Sequence, residues 1–441
     1  MTLAQKKHDV LYWGLIALIL YMPLHYYLCE LLLTGTNVDN ILRDLLIIAM
    51  TGLVLCSKNA FPKPAGILVA ASCAVLAVFG VASAIMNRCF PILNVLRTYL
   101  VPMMIFFICA GVRLDAERFR RLNTFLAVEL AIVAAYGFFQ AFFLTDDFLI
   151  MLGYQSTDGY LTSNSFYISH FFGYQRSVGT FVSPNICGII LAIALCALLF
   201  TDHSQSFRWK YIWGTLLVGG LLATFSRSSM VGFAAATGFY LLISKAWTRL
   251  SKKTIKRCSL IIITVAVALL LDQLLLDGLF LRMLLSTIFR TFNGEDPSAN
   301  AHKEHLSSPP SSLTVSTQTN AGIFSFLSHF GLNGPMAEEY LANPRKIESS
   351  YYLMTYELGI LGTLVYYAPY ALVILQTIRD RKQYPYFVPA AVSLAVLASY
   401  VFLPNVQTFE VPFYCFLFLG LYYNPSVKEL YQTQPKPAGS D

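Results

Sequence analysis

Charge is what this chain has least of. Asp, Glu, Lys and Arg make up 12% of its 441 residues, against 56% hydrophobic residues. A water-soluble domain carries about a quarter charged residues, so a mean hydropathy of +0.59 excludes that class. Cysteine is present nine times but without Cys-x-x-Cys or Cys/His spacing, which argues against a zinc module or a disulfide framework. No small-residue cleavage site follows the first apolar run after MTLAQKKHD, so the reading is a retained first helix and not a removed signal peptide. No internal repeat is evident. The formal charge of +7 carries no nucleic-acid signal, because where it sits matters more than its size.

What the chain does have is long apolar runs, each near the ~20 residues that a helix needs to cross a bilayer. They predict an all-α polytopic membrane protein with about twelve spans: 10–33, 41–57, 64–86, 93–112, 124–145, 184–201, 210–225, 228–245, 258–276, 350–376, 386–403 and 410–424. Residues 1–441 then form one transmembrane domain. With the N-terminus inside, 21 of the 31 Lys/Arg residues fall on the cytoplasmic side, densest in KAWTRLSKKTIKR (245–257) and RLDAERFRR (113–121). That asymmetry supports cytoplasmic termini. The outward set is skewed toward arginine: Arg43, Arg88, Arg97, Arg176, Arg227, Arg282, Arg290 and Arg345, with only Lys303 and Lys346 as lysines. Arginine's planar fork suits phosphate and keeps its charge when desolvated, so one reading is a bound pyrophosphate. The other is pairing with lipid headgroups, which stands equally for Arg43, Arg282 and Arg290.

Arg227 is the only charge between Tyr211 and Ser244. Basic residues flank this run at both ends, so the chain crosses out and back with Ser226-Arg227-Ser228 at the turn. Legs of 16 and 17 residues are short for a bilayer, which sinks the turn below the outer surface. An arginine at membrane depth costs at least ~2.5 kcal/mol, and such a cost marks a binding or catalytic site, or a snorkelling side chain.

Two further outward sites join it. Arg176 precedes Gly179 and Ser183-Pro184-Asn185, a helix-start pattern whose free N–H groups make an anion site, or an ordinary cap. Glu348 precedes SSYYLMTYELGILG just outside the tenth span, with Glu357 further in. There it is placed to act as a general base on a sugar hydroxyl, or as a first-turn acid on the helix dipole. Arg97 is a fourth candidate phosphate ligand. Glu129 is expected to pair with Arg120 or Arg121. His302-Lys303-Glu304-His305 lacks further ligands, so no metal site is expected.

Two extracytoplasmic segments are long. Residues 146–184 hold four tyrosines, and residues 277–349 run from an amphipathic start through a Ser/Thr/Pro-rich stretch back to RKIESSYY. A long loop that returns to the membrane with charge is a candidate lid or acceptor-binding element. The tail 425–441 is polar and expected to be disordered and cytoplasmic.

RSVGTFVSPNICG (176–188), LLATFSRSSMVGF (221–233) and ESSYYLMTYELGILGTL (348–364) together, in this order and with the long loop before the third, resemble the O-antigen ligase/polymerase superfamily. By motif the similarity covers roughly residues 170–380. The resemblance implies a C-type (GT-C) glycosyltransferase of the bacterial cytoplasmic membrane that needs no metal or other cofactor. Its donor would be a glycan on undecaprenyl pyrophosphate and its acceptor a glycan hydroxyl, joined with inversion on the outer face. A chain-length regulator and a flippase are the implied protein partners, with no nucleic acid. Arg176, Arg227 and Glu348 take the catalytic roles in this reading, with Arg97, Arg88, Asn185, Ser226, Tyr351 and Glu357 lining the substrate site. Lipid A-core ligases of the superfamily carry a histidine, often followed by asparagine, where this chain has Glu348-Ser349. That is more similar to the Wzy-type repeat-unit polymerases of O-antigen, capsule or exopolysaccharide. A ligase, a protein O-oligosaccharyltransferase and, in another class, a lipid-linked oligosaccharide flippase are the alternatives.

Overall fold

The computed structural model describes residues 3–28, 38–56, 63–86, 96–154, 168–171, 174–201, 209–244, 349–403 and 405–432, and residues 273, 278, 282 and 293. The predicted span 258–276 except residue 273, most of the 277–349 loop, Arg88 and Glu348 lie outside them. Helix makes up 84% of the interpretable residues. The long helices are α1 (Leu3–Tyr21), α2 (Val38–Leu55), α3 (Lys63–Met86), α4 (Val101–Gly111), α5 (Ala116–Phe143), α7 (Pro184–Phe200), α8 (Lys210–Ala223), α9 (Arg227–Ser244), α10 (Ser350–Asp380), α11 (Val388–Tyr400) and α12 (Glu410–Tyr422). Shorter helices include α6 (Asp146–Met151) and α13 (Pro425–Gln432). Each predicted span other than 258–276 coincides with one of these long helices. Among the described residues, three stretches, Lys6–Tyr27, Ala116–Phe143 and Ile360–Asp380, are long and apolar enough to cross a membrane.

Burial follows from which helices are apolar all round. Every residue of α12 is buried, and α7 is buried over nearly its whole length. Such helices belong at the centre of a bundle. Around α7 pack α5, α8, α9 and α11, while α12 packs on α4, α11 and α7. Outer helices turn large apolar side chains outward: Ile41, Leu42 and Leu45 on α2, and Ile360, Leu361 and Leu364 on α10. Water penalises such faces and lipid does not.

Local chemistry sets the helix ends. Asp115 caps α5 by accepting from the Arg118 amide at 2.8 Å. The charged stretch 113–121, read as a loop, is therefore mostly the first turns of a 28-residue helix. At 1.5 Å per residue that helix is about 42 Å long, more than the ~30 Å of a bilayer's hydrocarbon layer. Arg121 bonds Glu117 one turn away, a spacing that favours that pair over the expected Glu129.

The polar tail also departs from expectation. Asn424 donates to the carbonyls of Cys109 and Val112, both at 2.7 Å, and accepts from the Val427 amide at 3.2 Å. One side chain thus closes the end of α4 and starts α13, whose Val427 and Tyr431 are buried. Disorder is excluded for 425–432 because these apolar residues have a core to enter.

The segment 146–184 is not all loop or helix. Strands β1 (Ser169–Phe171) and β2 (Tyr174–Arg176) pair antiparallel, with Ser169 opposite Arg176. The all-helical expectation fails at this hairpin, which carries Arg176 at its end.

Candidate functional site

One end of the bundle gathers most of the buried polar groups among the described residues. The chain arrives there at the ends of α1, α5, α8 and α11 and departs at the starts of α2, α7, α9, α10 and α12. Hydrogen bonds between these ends hold them together. They form two clusters.

The first cluster is built on the connection between α8 and α9. Thr224 and Ser226 are buried, and Phe225 between them adopts a left-handed φ of 49°. That conformation is uncommon for a bulky side chain and marks a turn imposed by its surroundings. Thr224 Oγ1 donates to Leu221 O at 2.7 Å and accepts from the Ser226 amide at 3.2 Å, closing the turn. Ser226 Oγ lies 2.7 Å from Ser229 Oγ and 3.3 Å from Ser228 Oγ. Arg227 is the first residue of α9 and is partly exposed. The three residues before Arg227, Thr224–Ser226, are buried in protein.

Arg176 reaches this turn from β2. Its Nε donates to Thr224 O and its Nη2 to Asn185 Oδ1, both at 2.9 Å. The Ser177 amide donates to Ala223 O at 2.9 Å, so backbone and side chain attach β2 to the same turn. Asn185 is on the first turn of α7, where Ser183 caps the helix by accepting from the Ile186 amide at 3.2 Å. Ser229 donates to Asn185 O at 3.4 Å, bringing the N-terminal turns of α7 and α9 together. A Cβ at Gly188 would lie 2.8 Å from Ser229 Oγ and 2.9 Å from Ser226 Cβ, so α7 approaches the turn only through glycine. Arg176, Asn185, Ser226 and Arg227, assigned from separate motifs, thus share one site.

The second cluster lies where α2, α10 and α12 begin. Glu357 is fully buried; Tyr99 donates to one of its oxygens at 2.5 Å and Gln407 Nε2 to the other at 2.7 Å. Arg97 Nε is 4.0 Å from Asp44 Oδ2. Arg43 pairs with Asp44 at 2.8 Å, and its guanidinium sits 3.5 Å from the centre of the Phe409 ring. Its side chain is 2% exposed, which corrects the lipid-headgroup reading. Arg97 and Glu357 therefore stand in this cluster and not on the α8–α9 turn. Tyr351 donates to Leu397 O at 2.8 Å, and Ser350 bonds Leu403 O and the Val406 amide. These contacts fasten the start of α10, two residues after Glu348 in the sequence, to the end of α11 and the α11–α12 connection.

A tyrosine group links the segment that follows α1 to α5 beside the first cluster. Tyr27, Tyr136 and Tyr154 bond one another through their hydroxyls, with Tyr27–Tyr136 at 2.8 Å and Tyr136–Tyr154 at 3.2 Å. Burial, helped by the neighbouring Tyr27 and Tyr136, pushes the Tyr154 hydroxyl up from its usual pKa. It therefore stays neutral at physiological pH.

Sequence reasoning missed three contributors. Thr224 O acts through its backbone, which no side-chain pattern reveals. Gln407 lies in a short 3-10 turn. Gln140, the one Asn or Gln between Asn123 and Gln155, offered a signal in its isolation within an apolar helix. Among the described residues, no group of three or more His, Cys, Asp or Glu is placed to hold a metal. No family model matches the chain, and no curated protein matches it.

Proposed function

We propose that this chain is a membrane glycosyltransferase of the GT-C type, with about twelve spans, that polymerises oligosaccharide repeat units carried on undecaprenyl pyrophosphate. The observation that carries this reading is Arg176. Its guanidinium is fixed by Thr224 O and Asn185 Oδ1 where two helix N-termini meet, beside Arg227. Helix N-termini and arginine forks both favour a phosphate-bearing group.

In this reading the pyrophosphate of the donor lipid occupies the α8–α9 turn. The acceptor sugar hydroxyl attacks the anomeric carbon from the face opposite the leaving group. As the C1–O bond breaks, negative charge grows on the pyrophosphate, and Arg176 and Arg227 stabilise it without reorganising. Inversion in a single displacement requires no covalent intermediate. Glu348, just ahead of the anchored Ser350, takes the proton of the attacking hydroxyl. Arg97 and Glu357 fall to the neighbouring cluster, where they support the start of α10. The site then faces the outside of a bacterial cytoplasmic membrane, with both termini inside.

Deleting the gene and resolving the surface glycan on a gel tests the proposal. Single repeat units without a ladder are the expected result. Polymer retained on the lipid carrier points to a ligase. Lipid-linked repeats trapped on the cytoplasmic side point to a flippase, and an unchanged ladder overturns all three.

A further inference from the structure

Gln140 sits on the last turn of α5 with its side chain 1% exposed. Its Oε1 accepts from the Val178 amide at 3.1 Å and from the Gly179 amide at 3.0 Å. Backbone N–H groups only donate, so the atom facing them is the amide oxygen. Val178 and Gly179 follow Arg176 by two and three residues, and both are buried. Gly179 turns with a φ of 56°, a conformation that leaves its N–H directed at α5 and that suits glycine. Its carbonyl accepts from Tyr154 at 3.3 Å, which ties the same residue to the tyrosine group. On the other side, the Ser177 amide is held by Ala223 O. The backbone that leaves Arg176 is thereby gripped from α5 and from α8 within three residues.

We propose that Gln140 is a positioning residue for Arg176. It acts through the backbone of residues 177–179 and does not touch the bound anion, and it rests on the reading of Arg176 as a pyrophosphate ligand. Both arginine contacts, Thr224 O and Asn185 Oδ1, lie outside β2, one on the α8–α9 turn and the other on the first turn of α7. The 177–179 segment carries the chain on from β2, and Gln140 is the side chain that accepts two of its three buried amides, those of Val178 and Gly179. Without that oxygen two buried N–H groups lose their acceptor, and the segment relaxes away from α5.

The test uses the full-length protein in lipid nanodiscs, with inorganic pyrophosphate as the titrated probe and hydrogen exchange as a second readout. Gln140→Met keeps the length and removes the strong acceptor. It is expected to weaken pyrophosphate binding about tenfold and to speed exchange at 177–180, with the thermal transition preserved. Gln140→Glu keeps an oxygen in place and is expected to bind like the wild type. If Gln140→Met loses its thermal transition, Gln140→Asn, which withdraws the oxygen by one methylene, takes its place. Unchanged exchange at 177–180 overturns the positioning role whatever the binding data show. So does faster exchange with unchanged affinity, or a folded Gln140→Glu protein that fails to bind. Failure of the underlying phosphate reading looks different: the wild type itself binds no pyrophosphate, and the role of Gln140 at that site falls with it.

Discussion

Arg176 Nη2 donates to Asn185 Oδ1 at 2.9 Å, joining the end of β2 to the first turn of α7. The bond fixes a cation at a helix N-terminus, where the helix itself favours an anion. Two like-signed fields are thus held together by one neutral amide.

That relationship makes Asn185 a sensitive position. Asn185→Ala removes one anchor of the guanidinium and is expected to weaken pyrophosphate binding about tenfold. Asn185→Asp is expected to weaken it further while leaving thermal stability equal or higher. The carboxylate pairs with Arg176 but repels the anion. Titration and thermal unfolding of both variants check this, and tighter binding by the aspartate would contradict it.

Arg176→Lys and Arg227→Lys should each abolish most polymer formation. Lysine presents a point charge and cannot bridge two acceptors in a plane. Complementation of a deletion strain, read as the glycan ladder, is the measurement. Full ladders from both variants would end the pyrophosphate-clamp proposal.

Gly188→Ala places a Cβ 2.8 Å from Ser229 Oγ and 2.9 Å from Ser226 Cβ. Relief requires α7 to withdraw from the turn that carries Arg227. A loss of about 1–3 kcal/mol in stability is expected, as for other overpacked sites, together with reduced activity. Thermal unfolding in detergent and the ladder assay report the two effects.

Glu357 and Glu348 should separate by readout. Glu357→Leu strands the Tyr99 hydroxyl and the Gln407 amide, each worth about 1–3 kcal/mol when buried without a partner. Stability should fall sharply, and Glu357→Gln should recover part of it. Glu348→Gln is expected to lower polymer yield with little change in stability. A near-normal yield from that variant removes the carboxylate from the mechanism.

The helices were legible because their signal is local and repeated. A run such as 186–200 has no polar side chain at any position, and Ser183-Pro184 announces its start. Arg227 was legible for the opposite reason, as one charge inside an apolar run. The β hairpin was not, because its short strands sit among tyrosines and polar residues with no sustained alternation. Asn424 and Gln140 were not, because their partners are backbone groups far away in sequence. Cys109 and Val112 lie more than 300 positions from Asn424. Arg43 was read as outward-facing, and only the approach of Phe409 shows why it is buried.

The amino-acid sequence alone determined an apolar helical chain, the bounds of most of its helices and the three motifs that carry the candidate residues. Those properties depend on side-chain hydrophobicity and on capping, which act over a few residues at a time. Tertiary structure decided which motifs meet. It brought Arg176, Asn185, Ser226 and Arg227 to one turn and set Arg97 and Glu357 in a neighbouring cluster. The reason is physical: buried carbonyls and amides must find partners, and those partners exist only once the helices have packed.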